Sequence, residues 1–119
     1  MDSARKKALL QEYKQQKTYY GVIQIKNKLN GKIFIKAVPN TKNRWHFYQL
    51  NLNNNFYHGT PLQEDWNQLG AENFSFEVLW EKDTDKVTNM KQELKKLQKE
   101  WLEKLQPFAD KGYNKPVND

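Results

Sequence analysis

The sequence predicts an α+β domain with a small three-stranded antiparallel sheet, an N-terminal hairpin plus one later strand, flanked by helices. Three observations predict it. Two β-branched runs meet at Asn30-Gly31, the strongest short-range hairpin signal. Only one further run alternates apolar and polar residues, from Phe74 to Glu81. The rest of the chain carries apolar residues at helical spacing, most clearly from Val87 to Leu105.

Taken in order, Ser3 to about Lys17 predicts a charged helix with a thin stripe of Leu9, Leu10 and Tyr13. Thr18 to Lys28 is the first strand, and Lys32 to Val38 is the second. Between them Asn30 and Gly31 are expected to form a type I′ turn, whose two central residues need positive φ. Pro39 and Asn40 end the second strand, and Thr41 is the expected cap of a helix bearing Arg44, Trp45, Tyr48 and Leu52. Asn53-Asn54-Asn55 is a loop. Thr60-Pro61-Leu62-Gln63 has capping-box spacing with proline at the first helical position, Leu62, Trp66 and Leu69 share one face, and Gly70 closes the helix. Phe74, Phe76, Val78 and Trp80 are expected on one buried face of the third strand. Thr84 or Asp85 then opens a long helix with Val87, Met90, Leu94, Leu97, Trp101 and Leu105 inward, which Pro107 stops. The order is α-β-β-α-α-β-α, divided into an N-terminal helical extension over 1–17 and a single domain over 18–119.

With 119 residues the chain suits one domain, and 13% aromatics including four Trp suit a core of few, large side chains. That aromatic content argues against a disordered chain. No apolar run is long enough to span a bilayer, and Met1 to Lys7 lacks the apolar stretch of a secretory signal. The absence of cysteine excludes a disulfide framework, a thiolate metal site and a Cys nucleophile. The expectation is a soluble, cytoplasmic protein with no membrane partner. His46 and His58, the only two histidines, make no zinc set, and the five scattered glycines form no phosphate-cradling loop, so no small-molecule cofactor is expected.

The net charge of +6 is unevenly spread. Residues 1–58 sum to +9 and residues 59–119 to −3, which points to a positive face able to attract phosphate. Lysine supplies 18 of the 20 basic residues, so bidentate reading of bases by arginine is scarcely available and contacts should fall on the backbone.

A set of strings recurs in a telling order. Gly21-Val22-Ile23 precedes the hairpin, with Gln24-Ile25-Lys26-Asn27 and Asn30-Gly31-Lys32 in it, and Ile33-Phe34-Ile35 follows. Lys42-Asn43-Arg44-Trp45 comes next, then Leu62-Gln63 with Trp66, Asn67 and Gly70, then Glu72 to Leu79, Trp101, and Gly112-Tyr113-Asn114. From about Tyr20 to Asn114 the chain resembles the GIY-YIG endonuclease domain of some homing endonucleases and of the incision nuclease of bacterial excision repair. The resemblance implies that fold, and it implies where a phosphodiester-cleaving centre would sit.

In that family two tyrosines, an arginine, a helical Tyr or His and one metal-binding glutamate share the work. By the resemblance, the first tyrosine position is Ile23 and the second Phe34, neither with a hydroxyl. The second motif ends in Ile35 where the family has glycine. The metal position is Gln98, a neutral amide in place of a carboxylate, which is a poor ligand for a hard divalent cation. Its neighbours one turn away are Leu94, Trp101 and Leu102, while Glu93, Glu100 and Glu103 point elsewhere on an ideal helix. Arg44, Tyr48 and Asn114 keep the family's residue types, and Tyr57 and His58 lie near a further His or Tyr position. Each also has a plain structural reading: a surface ion pair for Arg44, a core ring with a wet hydroxyl for Tyr48, and a loop histidine for His58.

Three functions are therefore open. The first is a degenerate nuclease-like domain that binds nucleic acid, with DNA as the expected partner, through Lys26, Lys28, Lys32, Lys36, Lys42 and Arg44. Lys6, Lys7, Lys14 and Lys17 add to the field, and little or no cleavage and no metal are expected. The second is an active endonuclease with a rearranged site, requiring Mg²⁺ or Mn²⁺. The third is a protein-interaction module presenting Trp45, Phe47, Phe56 and Tyr57.

Overall fold

The computed structural model describes residues 17–115, and the helix expected from Ser3 falls outside them. Strands β1 (Tyr19–Asn27), β2 (Ile33–Val38) and β3 (Phe74–Asp83) form one antiparallel sheet in the order β2-β1-β3. Helices α1 (Arg44–Asn53) and α2 (Pro61–Leu69) follow β2, and α3 (Met90–Leu105) follows β3. This is the expected α+β architecture, with the hairpin and the single later strand in place.

Central strand β1 is apolar on both parities because both faces of the sheet are covered. Ile23 and Ile25 face α1 and α2, packing with Tyr48, Leu52, Leu62, Trp66 and Phe74. Tyr20 and Val22 face α3, packing with Ile35, Ala37, Leu97 and Leu102. Trp45 belongs to the first of these clusters, stacked 5.5 Å from Phe76 and edge-on to Trp66 at 6.0 Å.

Five local details depart from the sequence reading. The hairpin loop has four residues, not two, closed by the Asn27 N–H donating to the Lys32 carbonyl at 2.9 Å. Of Asn30 and Gly31 only Gly31 has positive φ, at 78°. The reason is Asn27: its buried side chain accepts the Leu29 N–H at 2.9 Å, an Asx turn that fixes a wider loop. On β3, a bulge opposite Val22/Ile23 pairs Val22 with Trp80 and Ile23 with Val78, leaving Leu79 as the extra residue. Trp80 therefore joins the α3 face, 5.5 Å from Tyr20, while Phe76 stays on the other.

Thr41 does not cap α1. Its Oγ1 donates to Glu81 Oε2 at 2.8 Å, and the cap is Asn43, in the left-handed region at φ 59°. Helix α3 opens at Met90, where Asn89 Oδ1 accepts the Gln92 N–H at 3.1 Å, so Val87 packs from the preceding turn. Thr60 and Pro61 do open α2 and Gly70 closes it. Gln63 leaves the capping box incomplete, because its amide turns inward to the Leu52 carbonyl and the Tyr57 N–H.

Candidate functional site

The strand order leaves β2 with an open edge, whose outward N–H and C=O groups belong to Ile33, Ile35 and Ala37. Three later residues cover it. The Ile33 carbonyl accepts from the Tyr113 N–H at 2.9 Å. Ile35 donates to Asn114 Oδ1 at 2.8 Å, and its carbonyl accepts from Asn114 Nδ2 at 2.8 Å and Gln98 Nε2 at 3.1 Å. Ala37 donates to Gln98 Oε1 at 2.6 Å. Two side-chain amides thus stand in for a fourth strand, since an amide carries the same donor and acceptor pair as a peptide. Gly112 brings the closing segment this near, because a Cβ there would collide with the Pro107 and Ile33 carbonyls.

Beside this edge, between β2 and α1, lies a cleft of about 360 Å³. Phe34, Tyr48 and Tyr57 form its aromatic wall, Thr60 and Leu62 its α2 side, and Gln98, Tyr113 and Asn114 its closing side. Among the described residues Lys36 is the one charged side chain lining it. Burial pushes the Tyr48 phenol up to about 12, assisted by Tyr57 and opposed by the Arg44 charge. Tyr113 is also pushed up to about 12, by burial first and then by donating its hydroxyl to Asp65 Oδ2 at 2.7 Å. The same hydroxyl accepts from Asn27 Nδ2 at 3.0 Å. Both phenols are neutral at physiological pH, and the Tyr113 hydroxyl is engaged in hydrogen bonds.

The structure brings Phe34, Lys36, Tyr48, Gln98 and Asn114 together in this cleft. Ile23 is fully buried in the core. Arg44 is held between the segment ahead of α1 and the helix itself, its Nε donating to the Asn40 carbonyl at 2.6 Å and its guanidinium lying 5.0 Å from the Phe47 ring. Lys26 points to the α3 face of the sheet, Lys28 lies in the hairpin loop, Lys32 stands over the Tyr113 ring at 5.8 Å, and Lys42 is exposed ahead of α1. His58 is exposed in the loop before α2.

A second depression, of about 660 Å³, adjoins the cleft and shares Lys36 and Gln98 with it. Lys91, Lys95 and Lys99 of α3 line it together with Leu94, Ala37 and Pro39. A charge sum over halves of the chain does not show this groove, because its three α3 lysines lie in the acidic half. The i, i+4, i+8 spacing of its lysines was the available signal.

No protein-family model matches the chain, and no curated protein matches it. Solved structures do. The catalytic domain of intron endonuclease I-TevI, in a glutamate-to-alanine mutant, superposes with a TM-score of 0.64 at 26% identity, over 81% of this chain and 92% of that one. A second structure, the catalytic domain of homing endonuclease I-TevI, gives 0.64 at 24% identity, over 82% of this chain and 99% of that one. I-TevI is a GIY-YIG nuclease. This chain has a GIY-YIG-like fold.

The metal that this fold family implies does not fit the donors of the GIY-YIG-like cleft here. Its oxygen donors are phenols, a hydroxyl and amides, and none of its lining residues is a carboxylate. Gln98 Oε1, which the sequence resemblance would put at the family's metal position, is taken by the Ala37 N–H. Among the described residues no group of three or more His, Cys, Asp or Glu could hold a metal ion, and every buried side-chain polar atom has a partner. Hard divalent cations are held by one or more carboxylates together with neutral oxygens, and this lining supplies only the neutral ones. Among the described residues no helix is long and apolar enough to cross a membrane.

Proposed function

We propose that this GIY-YIG-like domain, spanning 18–119 behind an extension over 1–17, is a cytoplasmic DNA-binding protein whose cleavage centre has been converted into structure. One observation carries the reading: Gln98 spends both ends of its amide on the β2 edge, at the place where the family's metal-binding glutamate would stand. A residue so engaged supports the fold and leaves a cation without a ligand. Ile23 in the core and Phe34 in the cleft add no proton-transfer group.

What remains suits phosphate. Lys36 enters the cleft, a lysine-lined groove continues from it, and Lys28, Lys32 and Lys42 are carried on the adjoining loops. Binding should be weakly sequence-specific and steeply salt-dependent. Gel shift or fluorescence anisotropy across a salt series tests it. Binding at low salt that weakens steeply with added salt supports the reading, and no binding even at low salt overturns it.

A second reading has an observation of its own. Phe47, Leu50 and Phe56 are 44%, 49% and 68% exposed on and just after α1, a surface suited to a protein partner. Trp45, expected on that surface, is committed to the core. Substituting Phe47 and Phe56 by serine would leave DNA binding intact and abolish a protein contact made there.

A further inference from the structure

We propose that the lysine groove and the aromatic cleft form one continuous site for a single strand of nucleic acid, phosphates on α3 and a base in the cleft. This rests on the nucleic-acid-binding reading above and goes beyond it by naming the form of the ligand and the surface that holds it.

The placement of the lysines carries the first half. Lys91, Lys95 and Lys99 stand one above another on α3, at a rise of about 6 Å for each four residues. That step is close to the separation of successive phosphates along one strand. Like charges four residues apart weaken a helix, and Lys95 has no acid three or four residues away on either side to relieve it. Glu93 and Glu100 turn to the far side of α3 at 100° per residue, Glu103 stands one turn beyond Lys99, and none of the residues lining the groove is acidic. Lys91 and Lys95 are exposed, and the apolar floor of Leu94, Ala37 and Pro39 keeps the groove open.

The second half comes from what adjoins it. Lys36 and Gln98 belong to both depressions, so a chain lying along α3 reaches the cleft without a gap. The cleft offers half-buried Phe34 and Tyr57 rings and no negative side chain. A flat base fits such a wall, and a base is free to enter only when it is not paired within a duplex. A basic track leading to aromatic rings is the general solution for single strands.

The test uses fluorescence polarisation with a short oligothymidine, its abasic counterpart and a duplex of equal length. The expected order is oligothymidine tighter than the abasic strand by about tenfold, which is one stacked base, and tighter than the duplex. Three phosphate contacts, from Lys36, Lys91 and Lys95, predict that oligothymidine affinity falls about 20-fold between 50 and 200 mM salt. Reversal of Lys91→Glu with Lys95→Glu should weaken it at least tenfold and flatten that salt dependence. Should the reversal lower the melting temperature, Lys91→Gln with Lys95→Gln gives the same ordering. Duplex bound as tightly as the strand, or strand binding unchanged by both pairs of substitutions, overturns this inference and leaves DNA binding standing. No binding of any of the three probes overturns the function proposed above as well.

Discussion

The Ala37 N–H donates to Gln98 Oε1 at 2.6 Å, joining the open edge of the sheet to the middle of α3. Ala37 lies one position beyond Lys36, which faces the cleft, so the bond that completes the sheet also sets the cleft wall. Gln98→Glu keeps the acceptor and loses the donor, aiming a carboxylate at the Ile35 carbonyl that Gln98 Nε2 now serves. The expected cost is about 1–3 kcal/mol. Gln98→Ala should cost a similar amount by stripping the Ala37 N–H of its partner. Urea denaturation of the two variants beside the parent measures both. Equal stability for Gln98→Glu would mean that the amide donor is dispensable.

Gly112 sits where a methyl group would strike two carbonyls, one from Pro107 and one from Ile33. Gly112→Ala should push the closing segment off β2 and cost about 1–3 kcal/mol through overpacking. Hydrogen exchange reads the event locally: the Ile35 amide, held by Asn114 Oδ1 at 2.8 Å, should lose protection first. Unchanged protection at Ile35 would show that the segment does not depend on this close approach.

Burial disfavours the phenolate and pushes Tyr48 and Tyr113 both up to about 12, above the usual phenol value near 10. Folded-state values raised in this way add stability that is complete below the unfolded pKa near 10 and is lost as pH rises through the folded values near 12. Thermal melts between pH 9 and 12 should show a fall beginning near pH 10 that is smaller in Tyr48→Phe. A fall of equal size in that variant would assign the alkaline loss elsewhere.

Tyr113→Phe removes more than a titrating group. Its hydroxyl donates to Asp65 and accepts from buried Asn27, the residue that shapes the hairpin loop. Leaving the Asn27 amide unpaired should cost about 1–3 kcal/mol. In a spectrum of backbone amides, Lys28 to Gly31 should shift more than α1 does. Shifts confined to the neighbourhood of position 113 would argue against the connection.

Much of the fold was legible because its signals are local. The hairpin runs, the Thr60-Pro61 start and the Gly70 stop each act within a few residues, and they appear where the sequence puts them. The bulge at Leu79 was not legible, since alternation says nothing about an extra residue until β1 supplies the partner register. Asn27 was likewise read as one more strand residue, and its buried bond to Tyr113 spans 86 positions. Matching strings along the chain singled out Gln98, Phe34 and Asn114, and the structure places them in one cleft. The use of Gln98 and Asn114 as an edge strand depends on β2 lying outermost, which is topology and not pattern.

The most direct measurement is cleavage itself. Supercoiled plasmid is incubated with the purified chain in excess, at low salt, with Mg²⁺ and separately with Mn²⁺, and both mobility and topology are read. A cleft in which the Gln98 amide is engaged by the β2 edge, with the function proposed above, should give plasmid that is retarded by bound protein and returns fully supercoiled when the protein is removed. Nicked or linear plasmid that depends on the metal and disappears with Arg44→Ala would contradict it.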